Sequence, residues 1–187
     1  MDRRQRKTRT AIMNAFCELL SKKHYDKITV GEIIEMADVG RATFYAHFET
    51  KDFLLRELCH ELFCHIFDTS EFGKDCQYHI FQCDTPPSAF LHLIQHLQKN
   101  DNNILCLLSC ENNELFLRYF KENLKKLIKS QRNGLCDQKP AELPDSLWLD
   151  HIAACFVETV RWWSENGMKE TPEELSKYFT KILFPKS

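Results

Sequence analysis

Side chains that can bind a polyanion are concentrated between residues 28 and 51, in the segment ITVGEIIEMADVGRATFYAHFETK. Arg41 carries a planar guanidinium whose parallel N–H donors match the O6 and N7 acceptors on the edge of a guanine. Thr43, Tyr45 and His47 follow within two helical turns and add hydroxyl and imidazole donors. This combination predicts hydrogen bonding to base edges and phosphates, and it includes no carboxylate that would repel a phosphate.

Motifs that are typical of enzymes are missing from the sequence. There is no glycine-rich phosphate loop, no HExxH zinc motif and no nucleophile elbow. Cysteine and histidine are both abundant, so a Cys–His pair could be assembled in many ways and does not discriminate between functions. The sequence therefore predicts a protein that is not an enzyme, with no catalytic residue and no cofactor.

The nine cysteines and eight histidines provide possible metal ligands but no complete set. No CxxC pair occurs, and no combination of His and Cys has zinc-finger spacing. Three partial sets remain, which are His92 with His96, Cys106 with Cys110, and Cys76 with His79 and Cys83. We assign no metal from the sequence, and a metal- or thiol-responsive protein stays open as an alternative.

Charge is distributed unevenly along the chain, although the whole chain carries only −2. Residues 1–30 contain eight Lys and Arg against three acidic residues, a net of +5, which leaves −7 for the remainder. The basic residues near the start are Arg3, Arg4, Arg6, Lys7 and Arg9. Such asymmetry favours docking of a polyanion at this end, with binding that weakens as salt rises. A solvated helix face is the alternative explanation.

Two short helices must position the side chains of the 28–51 segment. Thr29 precedes the first helix, and Glu32 three residues later completes a T-x-x-E capping box. After the turn at residues 38–40, the second helix is predicted over residues 41–48, with two phenylalanines four residues apart on its buried side. Two helices joined in this way have the geometry of a helix-turn-helix, whose second helix enters the major groove of DNA.

The remaining apolar periodicity predicts further helices and no strand, in keeping with only five glycines and six prolines. We predict helices over residues 3–23, 50–67, 89–99, 103–130 (with a possible break near 110–112), 146–166 and 172–184. Residues 68–85 are weakly patterned and are predicted to form a loop. The sequence therefore predicts an all-α protein, with an N-terminal three-helix helix-turn-helix domain over residues 1–67 and a C-terminal helical domain over residues 68–187.

The composition also predicts the cellular compartment of the protein. No apolar run approaches the ~18 residues of a membrane-spanning helix, so we expect no contact with a membrane interior. The cysteines are odd in number and irregularly spaced, which is typical of reduced thiols rather than of a disulfide framework. These observations predict a cytoplasmic protein.

The segment around the predicted helix-turn-helix resembles the TetR family of transcriptional regulators. The resemblance covers about residues 5–65 and rests above all on the string Thr-Phe-Tyr-x-His-Phe-x-x-Lys at residues 43–51. Other matching positions are Ala15, Phe16, Leu19, Leu20, Tyr25, Ile28, Thr29, Val30 and Val39. The resemblance implies a sequence-specific DNA-binding regulator, typically a repressor that binds double-stranded operator DNA and is released by a small-molecule effector.

The resemblance implies DNA contacts for eight residues in three groups. The bases would be read by Arg41, Ala42 and Thr43. Phosphate or sugar would be contacted by Tyr45 and His47, for which packing inside the domain is the alternative role. Phosphates would be anchored at the start of the two flanking helices by Thr29, Val30 and Lys51.

The chain departs from the family pattern at the two turns of the DNA-binding domain. The family usually has Gly at the positions of His24 and Asp38, and a capping side chain at the position of Gly40. Asp and His tolerate positive φ, and Gly is an acceptable N-cap, so both turns are expected to survive.

The resemblance further implies a C-terminal dimerisation and effector-binding domain. The 146–166 helix is apolar on two adjacent faces, and we expect one of them to need a partner chain, although a single larger core would also cover both. Together with the 172–184 helix it is predicted to form a homodimer that presents paired recognition helices to a palindromic operator. Aromatic candidates for an effector pocket are the tryptophans and Phe90, Phe116, Phe120 and Phe156, for which packing in the core is the alternative role.

Three functional alternatives stay open beside the effector-released repressor. A metal- or thiol-responsive regulator would have the same fold, and so would an activator or a co-regulator without operator binding. Residues 160–174 also resemble the C-terminal domain of the dihydroxyacetone-kinase-regulator-like branch of the family. This shorter resemblance gives no effector.

Overall fold

The computed structural model describes residues 3–67, 89–99, 104–109, 114–130 and 139–185. Its elements in chain order are α1 (Arg3–Lys22), a 3-10 turn (Tyr25–Lys27), α2 (Val30–Met36), α3 (Arg41–His47), α4 (Lys51–Phe67), α5 (Ala89–Gln98), α6 (Ile104–Ser109), α7 (Glu114–Ser130), α8 (Asp145–Glu165) and α9 (Pro172–Leu183). These ranges contain no strand, which confirms the all-α prediction. No helix among them combines the length and the apolar character needed to cross a membrane.

The N-terminal helices enclose a largely aromatic core. Phe16 of α1, Ile33 of α2 and Phe44 of α3 are all 0% exposed. Phe48, which follows α3, is equally buried, and its ring lies 6.0 Å from that of Phe44 between centroids. Each such side chain contributes on the order of 1.5–3 kcal/mol when it leaves water. This burial fixes α3 on the rest of the domain.

Two capping boxes define the starts of α2 and α9. The Thr29 amide donates to the Glu32 carboxylate at 2.9 Å, and the Glu32 amide donates to the Thr29 hydroxyl at 3.3 Å. Thr171 and Glu174 make the same reciprocal pair ahead of α9, where Pro172 occupies the first helical turn. The predicted Thr29–Glu32 box is confirmed, and each box satisfies backbone donors that the helix itself leaves unpaired.

The two turns of the predicted DNA-binding domain differ in what they require. Asp38 has a φ of 51°, so the residue that replaces the family's glycine does adopt the left-handed conformation. His24 has a φ of −59° and needs no such tolerance. Gly40 is the N-cap of α3 with φ −73° and ψ 153°, and no side chain caps this helix.

The C-terminal helices pack around α8, which contacts α6, α7 and α9. Arg161 of α8 donates through Nε to the Leu108 carbonyl at 2.8 Å and thereby ties α8 to α6. The Trp163 indole donates to the Glu170 carbonyl at 3.0 Å and closes the turn into α9. α8 ends before Gly167, whose φ of 77° lies in the left-handed region that glycine adopts most readily.

Helix α4 connects the two predicted domains. It packs against both α7 and α5, and the buried apolar residues of the two halves form one continuous cluster. The domain boundary at residue 67 therefore stays a prediction. The described helices on either side are α6, which ends at Ser109, and α7, which begins at Glu114, and the possible break predicted near residues 110–112 lies outside the described residues. The loop predicted over residues 68–85 lies outside the described residues.

Candidate nucleic-acid interface

Helix α3 has an exposed polar face above a buried apolar one. Phe44 holds the helix on the core, whereas Arg41, Ala42 and Thr43 are exposed. Tyr45 is 47% exposed, with its ring edge-on to that of Phe44 at 5.4 Å, so burial of this ring against α1 is not its role. At 7 residues the helix is about 10 Å long, which suits a major groove about 12 Å wide.

Arg9 braces the C-terminal end of α3 from behind. Its guanidinium donates to the His47 carbonyl at 3.1 Å and to the Glu57 carboxylate at 3.3 Å. The guanidinium carbon also lies 4.6 Å from the centroid of the Phe48 ring. Arg9 thus acts inside the domain, unlike the exposed basic residues that the phosphate prediction needs, which are Arg3, Arg4, Arg6 and Lys7.

His47 is partly buried at the end of α3. Its burial and the positive charge of Arg9 both lower the pKa of the His47 imidazole. A neutral imidazole can donate one hydrogen bond to a phosphate oxygen but brings no positive charge. The structure therefore makes His47 suitable for fixing the position of a DNA backbone by a short hydrogen bond. It does not make His47 a source of long-range attraction.

Lys51 joins the start of α4 to the turn before α2. Its ammonium donates to the carbonyls of Tyr25 and Ile28, at 3.0 Å each. It also lies 4.1 Å from the centroid of the Tyr25 ring. An ammonium has three N–H donors, so one donor is left for the phosphate contact that the resemblance implies.

The start of α2 carries the other two predicted anchors. Thr29 is exposed, but its hydroxyl already serves the capping box. Val30 is half-buried against the core, so its backbone N–H rather than its side chain is suited to meet a phosphate. Hydrogen bonds from Lys23 and from both the backbone and the side chain of Thr29 lower the pKa of Glu32 to about 2. The Glu32 carboxylate therefore stays charged, and its negative charge is balanced by the Lys23 ammonium.

Sequence reasoning missed the residues that support the interface from behind. The Tyr25 hydroxyl donates to Asp52, 27 residues away, and the partner of Arg9 on α4, Glu57, is 48 residues away. No local pattern indicates such pairings, because helix-face rules apply only to residues three or four apart. The predicted contacts on α3 thus depend on a frame that the sequence did not reveal.

The two apolar faces of α8 are both covered within the chain, contrary to the expectation that one of them needs a partner. The buried residues are Trp148, Ile152, Phe156 and Trp163 on one face and Leu149, Ala153, Val157 and Val160 on the next, with Cys155 half-buried. Helices α6, α7 and α9 provide the cover. The alternative of a single larger core therefore accounts for both faces.

A different set of apolar side chains on α8 and α9 remains in solvent. Leu147 and Trp162 of α8 are 54% and 45% exposed, and Tyr178 and Ile182 of α9 are 42% and 61% exposed. Leu147 and Trp162 lie about 22 Å apart along the α8 axis but only about 60° apart around it. Tyr178 and Ile182 are one turn apart on α9, which packs against α8. We call these four residues the α8–α9 patch.

The aromatic residues considered for an effector pocket pack against one another. Phe120 lies 6.0 Å from Phe116 and 6.4 Å from Phe156 between ring centroids, and Phe90 lies 5.9 Å from Phe156. Three of the four are at most 1% exposed. In the described part of the chain these four phenylalanine rings therefore belong to the core. Their side chains do not line the effector pocket that was predicted for them.

Burial makes three of the described cysteines, Cys17, Cys59 and Cys155, unsuited to redox sensing. Burial raises the pKa of the Cys17 thiol to about 12 and also raises that of Cys155. A protonated thiol is a poor nucleophile and a poor metal ligand. The side chains of the partial ligand sets Cys106 with Cys110, and Cys76 with His79 and Cys83, lie outside what the structure describes.

Comparison with known proteins identifies the family of both halves. Residues 12–58 match the family described as bacterial regulatory proteins, tetR family. Residues 84–185, more than half of the chain, match a family described as transcriptional regulator C-terminal region. A curated relative, the uncharacterized HTH-type transcriptional regulator YxbF of Bacillus subtilis (strain 168), is 24% identical over 188 residues. The match covers 98% of this chain and 46% of the relative, so the chain spans about half its length.

Solved structures give the same result over the whole chain. The TetR transcriptional regulator from Streptococcus agalactiae 2603V is 32% identical with a TM-score of 0.74, and the match covers 97% of this chain and 96% of that one. The transcriptional regulator FadR from Bacillus subtilis, solved in complex with stearoyl-CoA, shares the fold at 21% identity, with a TM-score of 0.57 and coverage of 92% and 96%. With both halves and the full length matched, the chain belongs to the TetR family of transcriptional regulators.

Proposed function

We propose that this chain is a repressor that binds a palindromic DNA operator as a homodimer and is released by a small-molecule effector. Regulators of this family bind DNA and dimerise. The observation that carries the proposal is the exposed face of α3, where Arg41, Ala42, Thr43 and Tyr45 stand in solvent above a fully buried Phe44. Such a face can enter a groove without disturbing the core beneath it.

Within this proposal the eight predicted residues have distinct roles. Base edges are read by Arg41, Ala42 and Thr43, with Arg41 paired to a guanine through two hydrogen bonds. The DNA backbone is held by the side chains of Tyr45, His47, Thr29 and Lys51 and by the amide of Val30. The neutral His47 and the one remaining donor of Lys51 support positioning contacts. The exposed basic residues of α1 supply most of the salt-dependent attraction.

The α8–α9 patch supports dimerisation through the helices predicted for it, but through other residues. Large apolar side chains seldom cluster in solvent on a monomer, and four of them lie on two helices that pack together. A twofold axis through this patch would bury it against its own copy and present two α3 helices to the two halves of an operator. A regulator that acts on operator DNA would work in the bacterial cytoplasm.

Selection from random DNA duplexes with the full chain tests the proposed function. We expect enrichment of an inverted repeat whose half-sites lie about one helical turn, or a multiple of it, apart. A selected pool without any common sequence would contradict operator binding. Enrichment of a single half-site without a repeat would instead contradict the dimer.

A further inference from the structure

Three histidines from two helices meet where α4 packs on α5. His65 belongs to α4, and His92 and His96 belong to α5. One ring nitrogen from each of the three lies within 4.8 Å of the other two. The centroids of the three rings are 4.8 to 5.1 Å apart, so each imidazole contacts the other two. The sequence indicated only the pair on α5, because His65 is brought in by the fold.

The spacing of the α5 pair fits two ligands of one metal ion. His92 and His96 are each 2% exposed, and their Nε2 atoms are 3.2 Å apart. In a tetrahedral zinc site with Zn–N bonds of about 2.0–2.1 Å, neighbouring ligand nitrogens are separated by roughly 3.3 Å. His65 is half-buried and needs to shift by only about 1.5 Å, a side-chain rotation, to bring its nitrogen to the same distance.

The α5 pair also has an explanation that needs no metal. An imidazole binds a metal ion through an unprotonated ring nitrogen, and the same nitrogen can accept a hydrogen bond. Buried polar groups in an otherwise apolar core are costly unless they are satisfied. The 3.2 Å contact within the pair can be one hydrogen bond between neutral rings, which is the competing explanation.

We propose that His65, His92 and His96 form a binding site for one divalent transition-metal ion, and that this ion clamps α4 to α5. Zinc is the ion of best fit, because it accepts three imidazoles and leaves a fourth position for water or a carboxylate. Glu61 lies one turn before His65 on α4 and is 3% exposed, which makes it the nearest acidic residue on that helix to supply such a group.

The position of the site suggests its consequence, and this step rests on the proposed function. The other end of α4 is bonded through Lys51 to the turn that precedes α2. An ion that fixes α4 against α5 would therefore restrict how the DNA-binding domain is oriented relative to the C-terminal helices. Operator affinity would then depend on the ion, and a change of about 5–150-fold is typical of such coupling.

Equilibrium dialysis against Zn²⁺ tests the site without any DNA. The full chain, stripped with a chelator, is expected to bind one zinc per chain, and its melting temperature is expected to rise by roughly 5–10 °C when zinc stands about 100-fold above the dissociation constant. His92→Gln and His96→Gln are expected to bind zinc at least 10–100-fold more weakly. His151→Gln, at an exposed histidine of α8, is the matched control and should bind zinc as the wild type does.

The possible outcomes separate the site from the proposed function. No zinc above the dialysis background, or equal binding by the His92→Gln and His151→Gln chains, would overturn the site. Far-UV circular dichroism checks the fold, and His65→Gln at the half-buried position provides a second variant if the buried ones unfold. Zinc binding that leaves operator affinity unchanged would overturn the clamp. A zinc-binding chain without any operator would instead contradict the proposed function and leave the site standing.

Discussion

Helix α3 and the α8–α9 patch both leave side chains in solvent, but of opposite character. On α3 the exposed residues are polar or small apart from the single ring of Tyr45, and the aromatic residue Phe44 is buried beneath them. On α8 and α9 the exposed residues include Trp162 and Ile182, although both helices already bury an extensive apolar face within the chain. A polar face with hydrogen-bond donors suits the wet groove of DNA, whereas an exposed apolar patch suits a second protein surface.

The two surfaces also differ in how they are supported. α3 is fixed from behind by Phe44 and by Arg9, whose guanidinium reaches the His47 carbonyl and the Glu57 carboxylate. The patch lies at the outside of a core that is complete without it. We therefore expect changes in the patch to affect association, changes under α3 to affect stability, and changes on α3 to affect DNA binding alone.

The largest effect is expected when charge enters the patch. The double variant Trp162→Glu with Ile182→Glu should be monomeric, because two carboxylates would have to be buried against their own copies. A monomer holds only one half-site, so operator affinity should fall by about 10²–10⁴-fold. Light scattering coupled to size exclusion measures the mass. Gln98→Glu, exposed at the end of α5, is the matched control; a variant that stays dimeric would show that the interface lies elsewhere.

A second large effect is expected beneath the reading face. Phe44→Ala should lower the free energy of unfolding by about 3–5 kcal/mol, because it opens a cavity under α3. Thr43→Ala changes the exposed neighbour and should stay within about 0.5 kcal/mol. Urea unfolding of the two variants compares the two sides of one helix. Similar free energies of unfolding in the two variants would mean that α3 is not anchored through Phe44.

An intermediate effect is expected on the face itself. Arg41→Ala should weaken operator binding by about 1–3 kcal/mol and relax specificity at one base pair, with no loss of stability. Arg118→Ala removes an equally exposed guanidinium from α7 and should leave operator affinity unchanged. Titration of the selected operator and of its single-base variants gives both quantities. A uniform loss over all sequences would assign Arg41 to phosphate instead.

The smallest effect concerns the capping box that orients α2. Thr29→Ala should cost about 1 kcal/mol of stability at pH 7, because it removes the N-cap. The folded-state pKa of Glu32, about 2, is below its ordinary value of 4.5. The contribution of this carboxylate is therefore present above about pH 4.5 and is lost as the pH falls towards 2.

The pH dependence of that contribution can be measured with Glu32→Gln. At pH 7 the free energy of unfolding of this variant should be lower than that of the wild type. The difference should shrink as the pH falls towards 2. Glu35→Gln, exposed on the same helix and outside the box, should stay within about 0.5 kcal/mol throughout. A deficit that does not change with pH would mean that the Glu32 charge contributes nothing.

Local rules explain what could be predicted from the sequence. The Thr29–Glu32 box spans three residues and is recoverable from neighbouring letters. The left-handed Asp38 was expected from the resemblance, because the family usually has Gly at this position. The fold class and the exposed residues of α3 could be predicted for the same reason as the box. The roles of Arg9 and Lys51 could not, because their partners lie 23 to 48 residues away and are brought close only by packing.

Periodicity predicted the α8 helix correctly but not what covers its two apolar faces. It shows that two faces are apolar, yet it cannot show whether the cover comes from α6, α7 and α9 or from another chain. The sequence suggested only a pocket role for the tryptophans, among them the exposed Trp162, since a single apolar residue carries little information until its burial is measured. His65 was overlooked among the metal candidates for a related reason, because its cluster partners His92 and His96 belong to another helix.

The central claim is that α3 reads DNA sequence, and the ratio of specific to non-specific affinity tests it most directly. The dissociation constants of the purified chain for its selected operator and for a scrambled duplex of the same length are measured at one physiological salt concentration. We predict that the operator is bound about 10³–10⁷-fold more tightly. A ratio near one would contradict the claim, because it would leave only the sequence-independent attraction of the basic N-terminal residues.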